Sequence, residues 1–291
     1  MDFKEDLIKA GEIARKAREY TKEISKENVK FIDIVEKVES KIIELGGKPA
    51  FPVDISVNGI AAHDTPLYND ERMLNKFDIV KIDLGVHING YIADTAVTVE
   101  INSNKNQKLI EASEKALKEA VKIAVPNTSL FEIGQIIQDE ITKHGFTPVK
   151  NLCGHGLGQY LVHTSPTIPN YNNNDKTKLK EGMIIAIEPF STTGQGLVVE
   201  GKNSSIYALT KVKNTRNFEA RKLIKFIEEN YKTLPFSERW IIKHFGLKSQ
   251  ILLKLLENEK IIEQFTILPE KSKSLVSQAE HTVLVGYGVV S

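Results

Sequence analysis

The sequence predicts an α+β fold of two related halves around a shared cleft, with a helical segment inserted late in the second half. Three observations carry this expectation. A hairpin spans Ile79 to Glu100, a run of elements repeats at constant spacing, and a strand-rich texture turns helix-rich and basic near the C-terminal end.

The hairpin reads IVKIDLGVHINGYIADTAVTVE, two β-rich runs flanking Asn89-Gly90. That dipeptide is the strongest short-range signal for a two-residue turn. With Asn89 and Gly90 as the loop, Asp83 lies opposite Ala96 and Asp94 opposite Gly85. Side chains alternate with period two, so Asp83, Gly85, Asp94 and Ala96 share one face. The other face, with Val80, Ile82, Leu84, Val86, Ala93, Val97 and Val99, is a core face. Diagonal neighbours of this kind have Cβ atoms roughly 7–8 Å apart, within reach of one cation or a pair. Gly85 and Ala96 leave room for a ligand there. Taken alone, the pattern fits the wet face of an antiparallel sheet equally well.

The rest of the chain is read in order. Asp2 to about Ser25 carries a helical stripe of Phe3, Leu7, Ile8, Ile13 and Ala14. A second helix runs from about Lys30 to Leu45, stopped by Gly46-Gly47 and Pro49. A strand-like piece, Ala50 to Val57, leads through Asn58-Gly59 to the segment ending at His63. Beyond the hairpin the order restarts: helices from Asn106 to Ala124 and from Leu130 to His144, then Gly145 and Pro148. At a constant offset of 99, Asp33 meets Glu132, Gly46 meets Gly145 and Pro49 meets Pro148. Two halves in one mixed sheet would place loops from both around a central cleft. GHGLGQYLVH follows at 154–163, then a strand from Met183 to Phe190 that carries Glu188. From Lys211 to Leu275 the chain is helix-rich, with 14 Lys/Arg against 8 Glu. Strand character returns from Val276 to Val290, which carries Glu280. The expected division is a catalytic part over 1–213, an insertion over 214–274 and closing strands over 275–291.

Composition narrows the class. The chain has 291 residues, 41% hydrophobic and 26% charged, with a net charge of +1. That is ordinary for a soluble globular protein and argues against a whole-chain footprint for nucleic acid or membrane. A single cysteine, Cys153, excludes an internal disulfide and fits a reducing compartment. The charged, amphipathic N-terminus has no signal-peptide core, and no run of 18 apolar residues exists. Cytoplasmic residence and a monomer are the expectations.

Asp83, Asp94, His155, Glu188 and Glu280 form a candidate metal set. Carboxylates with one imidazole suit Mn, Fe, Co or Zn rather than a thiolate-type structural zinc site. Four carboxylates balance two divalent ions, which can share and acidify a water. Glu188, after an apolar strand and before Pro189, could alone be a strand end, and Glu280 alone is no stronger a signal. The glycines around His155 let backbone approach a ligand closely. G-H-G-L-G also suggests phosphate binding, but lacks the strand-loop-helix setting of a nucleotide fingerprint. Cys153 reads as a small packed residue.

In order and spacing, Asp83 with Asp94, His155 in GHGLG, Glu188 in IEPF and Glu280 in AEHT resemble the metal signature of the methionine aminopeptidases. The resemblance covers nearly the whole chain. It implies the family's pita-bread fold, two pseudo-symmetric halves around a central dinuclear metal cleft. The insertion resembles the helical, winged-helix-like subdomain of the type 2 enzymes. Without their long eukaryotic N-terminal extension, the chain is similar to the compact archaeal form. The resemblance further implies that Asp94 and Glu280 bridge two ions, that Asp83 binds one, and that His155 and Glu188 hold the other. Glu188 would also relay the proton, and His63 and His163 would contact the substrate. Phe51, Val162 and Phe190 are candidates for the side-chain pocket. The implied activity is removal of the N-terminal methionine from nascent chains with a small second residue, with ribosome contact through the basic insertion. A proline-specific relative would share the five ligands but lack the long insertion, and a binding protein on the same scaffold would lack the ligands.

Overall fold

The computed structural model describes residues 3–213 and 215–291; Asp2 and Asn214, where a helix and an inserted segment are expected to begin, lie outside the described residues. Helix α1 (Phe3–Ile24) and helix α2 (Phe31–Glu44) cover one face of the sheet. The chain continues as short strands β1 (Lys48–Pro49), β2 (Asp54–Val57) and β3 (Ile60–Ala62), then the long hairpin β4 (Ile79–Ile88) and β5 (Tyr91–Glu100). Its register runs from Ile79 opposite Glu100 to Ile88 opposite Tyr91, with Asp83 opposite Ala96 and Gly85 opposite Asp94, as the Asn-Gly turn predicts. The apolar face of the hairpin meets Ala10, Ile13, Ala14 and Ala17 of α1 in one core. Those alanines let the helix lie close to the sheet. Phe3 and Ile8 consequently fall to the flanks, and Phe3 is 41% exposed.

The second half repeats the plan: α3 (Gln107–Ile123), α4 (Leu130–Lys143), β6 (Thr147–Pro148), β7 (Cys153–Gly158), β8 (Leu161–Pro169) and β9 (Ile184–Ile187). Helices α2 and α4, and strands β1 and β6, correspond residue for residue at the offset of 99. Ser129 and Glu132 form a capping box that fixes the start of α4.

The expected strand Met183 to Phe190 is broken. Pro189 has no N–H for the ladder, and the chain leaves β9 for β10 (Phe190–Thr192) in a different sheet. The C-terminal strand breaks likewise, giving β15 (Val276–Gln278), β16 (Glu280–Leu284) and β17 (Gly288–Val289). Before them come β11 (Asn203–Leu209), α5 (Phe218–Asn230), β12 (Phe236–Ser237), α6 (Glu238–Phe245), α7 (Ser249–Asn258), β13 (Ile262–Thr266) and β14 (Leu268–Pro269).

The main sheet has the order β1-β4-β5-β16-β9-β7-β8, with β2 joined to β4 and β17 to β16. Strand β16 therefore stands between the two halves, pairing with β5 at Glu280–Ala96 and with β9 at His281–Ile187. A second sheet, β15-β10-β6, adjoins it. The inserted helices have their own core around Leu223, Ile227, Phe236, Ile241 and Leu256. They pack on a sheet β12-β11-β13 that draws in Tyr207 from before the insertion. The unit is riveted to the first half by Arg239, whose guanidinium donates to both oxygens of Glu39 at 3.0 and 2.7 Å, while Trp240 Nε1 donates to the same carboxylate at 2.9 Å. No helix among the described residues is long and apolar enough to cross a membrane.

Candidate metal centre

Four strands of the main sheet converge on one point. β4 brings Asp83, β5 Asp94, β7 His155, and β16 Glu280, while Glu188 follows β9 at the break before Pro189. All five line a single cavity of about 520 Å³, together with Phe51, His63, Val162, His163 and Phe190. The cavity thus gathers every residue singled out in the sequence for a site.

One ligand-type atom from each of Asp94, His155 and Glu280 lies within 4.8 Å of the other two. His155 Nε2 stands 3.9 Å from Asp94 Oδ2 and 3.7 Å from Glu188 Oε1. On the other side of the ring, His155 Nδ1 meets the Gly156 carbonyl at 3.2 Å. A carbonyl only accepts, so Nδ1 carries the proton and Nε2 turns its lone pair toward the acids. Burial holds this imidazole neutral, with a pKa pulled down to about 3. A neutral imidazole with its free nitrogen aimed at carboxylates has the form a metal ligand needs.

The acids point the same way. Asp83 Oδ1, Asp94 Oδ1 and Glu280 Oε2 are buried without a hydrogen-bond partner. Buried carboxylate oxygens without partners are costly, and here several share one wall. Burial raises Asp83 to about 6, against the pull of Gln278, Asp94 and Glu280. Asp94, Glu188 and Glu280 are pushed well above the usual carboxylate range, by burial first and then by the charge of neighbouring acids, Asp83 foremost for Asp94 and Glu188 and Asp94 for Glu280. Divalent cations would relieve both the missing partners and the repulsion, so the donor set fits hard or borderline metal ions.

The surroundings differ from the sequence reading in two places. The space above Gly85 is filled by the protein itself. A Cβ there would meet Phe51 Cε1 at 2.3 Å, so the glycine admits the Phe51 ring to the cavity wall. The glycines beside His155 likewise face the protein: a Cβ on Gly154 would meet the Ala186 carbonyl oxygen at 2.2 Å, and one on Gly156 that of Ser165 at 2.3 Å. They let β8 and β9 close tightly on β7. Cys153 lines the cavity, but burial and then the charge of Glu188 raise its thiol to about 11, so it is no nucleophile at neutral pH.

His163 rests edge-on against His155 with ring centroids 4.4 Å apart. His63 takes a left-handed backbone with φ +64° and is held near a pKa of about 4, chiefly by burial. Among the groups around the site that the sequence did not mark are Gln278, Asp54, Pro235 and Phe265. Gln278 Nε2 donates to Asp83 Oδ2 at 2.9 Å and reaches Glu188 Oε2 at 3.5 Å. Asp54 pairs directly across from Asp83. Pro235 and Phe265 arrive from the insertion. Gln278 sits two residues before a candidate ligand, which is the one signal available; neither Asp54 nor Pro235 carries any.

The profile of metallopeptidase family M24 matches residues 5–226. The chain belongs to this family, as a metal-dependent hydrolase of the exopeptidase kind. Within it, the chain is 45% identical over 287 residues to a methionine aminopeptidase of Archaeoglobus fulgidus, a match covering 99% of this chain and 97% of that one. In fold it is similar to the methionine aminopeptidase of Thermotoga maritima, with TM-score 0.71 at 22% identity over 98% of this chain and 95% of that one. The prolidase of Pyrococcus furiosus, with TM-score 0.57 and 32% identity, covers 64% of this chain and 55% of its own. The pita-bread expectation and the family resemblance are borne out.

Proposed function

We propose that this enzyme removes the N-terminal methionine from nascent polypeptides whose second residue is small. The observation that carries this reading is the cavity itself, where five ligand-type groups meet an apolar wall of Phe51, Val162 and Phe190. Full-length similarity to a methionine aminopeptidase supports the same substrate. Asp94 and Glu280 would bridge two divalent ions, with Asp83 on one side and His155 and Glu188 on the other. Ions bound there supply an acidified water as nucleophile and polarise the scissile carbonyl. Co, Mn, Fe and Zn all suit the set.

The chain's own residues do the rest. The wall of Phe51, Val162 and Phe190 takes an unbranched thioether side chain and excludes water around it. Glu188, ionised beside the ions, would take the nucleophile's proton and hand it to the departing amine. His63 Nδ1 donates to the Thr266 carbonyl at 3.2 Å, which leaves Nε2 as an acceptor for the scissile or terminal N–H. A neutral His63 is thus a poor proton donor, and the leaving-group proton falls to Glu188. His163, exposed at the cavity wall, steadies charge developing on the carbonyl oxygen. Cytoplasmic residence, a monomeric state and ribosome contact through the basic insertion complete the reading.

A peptide panel with Mn²⁺ or Co²⁺ tests it: Met-Ala-Ser, Met-Lys-Ser, Ala-Pro-Ser and Leu-Ala-Ser. Only Met-Ala-Ser should be cleaved at a substantial rate, and its N-acetylated form should be inert. Slow turnover of the leucine peptide is tolerable, since apolar pockets discriminate by only about 1–3 kcal/mol. Faster cleavage of Ala-Pro-Ser would move the assignment to a proline-specific activity. Turnover of none would leave a binding role.

A further inference from the structure

We propose that Asp54 is a positioning residue that sets His63 for the reaction. The proposal rests on the reading of His63 as a substrate-contacting group. Asp54 is 5% exposed and lies in β2, directly across from Asp83 in β4. An acid at that point adds negative charge to a wall already crowded with carboxylates, and its Oδ1 has no partner. Its other oxygen, Oδ2, accepts the backbone N–H of His63 at 3.0 Å.

That bond falls where the chain most needs one. His63 stands just after the short strand β3 in the left-handed region at φ +64°, which a non-glycine residue holds only when its surroundings fix it. Three contacts do so from different directions. Asp54 holds the backbone, the Thr266 carbonyl of β13 holds Nδ1, and the Phe265 ring meets the imidazole edge-on with centroids 5.5 Å apart. Two of the three come from the inserted unit; Asp54 is the third, and with the Ile55 N–H that donates to the Asp64 carbonyl at 2.7 Å it ties His63 to the strand pair that carries Asp83. It fixes the distance between the substrate-facing Nε2 and the metal ligands. The carboxylate also explains why this buried acid is tolerated beside a ligand: its acceptor oxygen, rather than its charge, is what the site uses.

The experiment compares Asp54→Ala, Asp54→Asn, His63→Ala and the double variant Asp54→Ala/His63→Ala in the metal-loaded enzyme. Misplacement of a substrate-facing group costs up to about 100-fold, so Asp54→Ala should lower kcat on Met-Ala-Ser by roughly 10- to 100-fold, with KM and metal content little changed. Asp54→Asn keeps an acceptor oxygen and should recover most of kcat. In the His63→Ala background, Asp54→Ala should change nothing further, because its effect runs through the missing ring. The His63 ring resonance, assigned by its loss in His63→Ala, should move in Asp54→Ala and stay in place in Asp54→Asn. Wild-type kcat in Asp54→Ala, loss of metal, additive effects in the double variant, or an Asn variant as impaired as the Ala variant would each overturn the proposal. A fully active His63→Ala would instead strike the functional role of His63, while the ring resonance still decides whether Asp54 places it. If Asp54→Ala does not fold, the kcat and ring resonance of Asp54→Asn carry the test alone.

Discussion

Gly85→Ala places a methyl group where the Phe51 ring already lies. The new Cβ would stand 2.3 Å from Phe51 Cε1, 2.7 Å from Cδ1 and 3.0 Å from Ala50 Cβ. Carbon atoms rest at about 3.5–4.0 Å, so the ring must retreat by more than 1 Å or the strands must part. Overpacking of this kind costs roughly 1–3 kcal/mol. Phe51 lines the cavity and has space on that side, so the ring should yield into the pocket and the stability loss should stay at the low end, about 1 kcal/mol. For a domain of this size that is a fall in Tm of about 2 °C. The displaced ring should then raise KM for Met-Ala-Ser roughly tenfold, which corresponds to about 1.4 kcal/mol of lost binding. Metal content should not change. Thermal melts, steady-state kinetics and metal analysis read the three quantities. Phe51→Leu shortens the obstructing side chain, so the double variant should be less impaired in stability than the sum of the singles. Wild-type Tm and KM in Gly85→Ala, or strict additivity, would show that Phe51 does not occupy the space the glycine leaves.

Three other perturbations probe separate parts of the molecule. Asp94→Asn and Glu280→Gln should lower occupancy of both ions while Asp83→Asn mainly weakens one; an unchanged metal count in Asp94→Asn, measured at controlled ion concentration, would refute bridging. Arg239→Met leaves Glu39, 7% exposed, without its buried cation, and should cost about 3–5 kcal/mol in urea unfolding, largely recovered by adding Glu39→Met. His87 is buried and its Nδ1 accepts the Gly90 N–H at 3.2 Å; burial first, then Lys48 and Lys232, pull its pKa down to about 4. Its unfolded value is about 6.5, so the unfolded chain binds the proton first; this stability is full above about pH 6.5 and falls toward pH 4 by on the order of 3 kcal/mol. His87→Gln should flatten that part of the apo protein's stability profile, and an equally steep acid slope in the variant would contradict the assignment.

The hairpin was legible because an Asn-Gly turn fixes register and period two fixes faces, so Asp83 and Asp94 could be placed from residue types alone. The repeat was legible because helix stops and prolines recur at one spacing. What the sequence hid was whatever depends on two segments meeting. Nothing in PVDIS marks Asp54 as facing Asp83, because strand β2 is too short to show alternation. Gly85 reads as open space until Phe51, from another segment of the chain, is seen to fill it. The break at Pro189 was visible as a proline, yet its effect of sending β10 into the second sheet depends on β15 and β6 waiting there. The inserted unit looked self-contained because its charge changes after Lys211, whereas its sheet recruits β11 from upstream.

The placement of β16 makes its docking the step that joins the two half-sheets. Thr95 and Glu280 are hydrogen-bonded across a sequence separation of 185 residues, and the strand carrying Glu280 is the seam between the half-sheets. Until it docks, β5 and β9 present bare edges, and such edges invite association with other chains. Closure over so long a loop is slow. Asp83 and Asp94 then wait on one half, His155 and Glu188 on the other, and no four-carboxylate cluster exists to repel itself or to seize an ion. The final zipping event creates the charge density and the affinity for cations together. An ion held by Asp94, His155 and Glu280 would clasp both halves to the strand between them, so metal loading should act as a latch, slowing unfolding as well as enabling turnover.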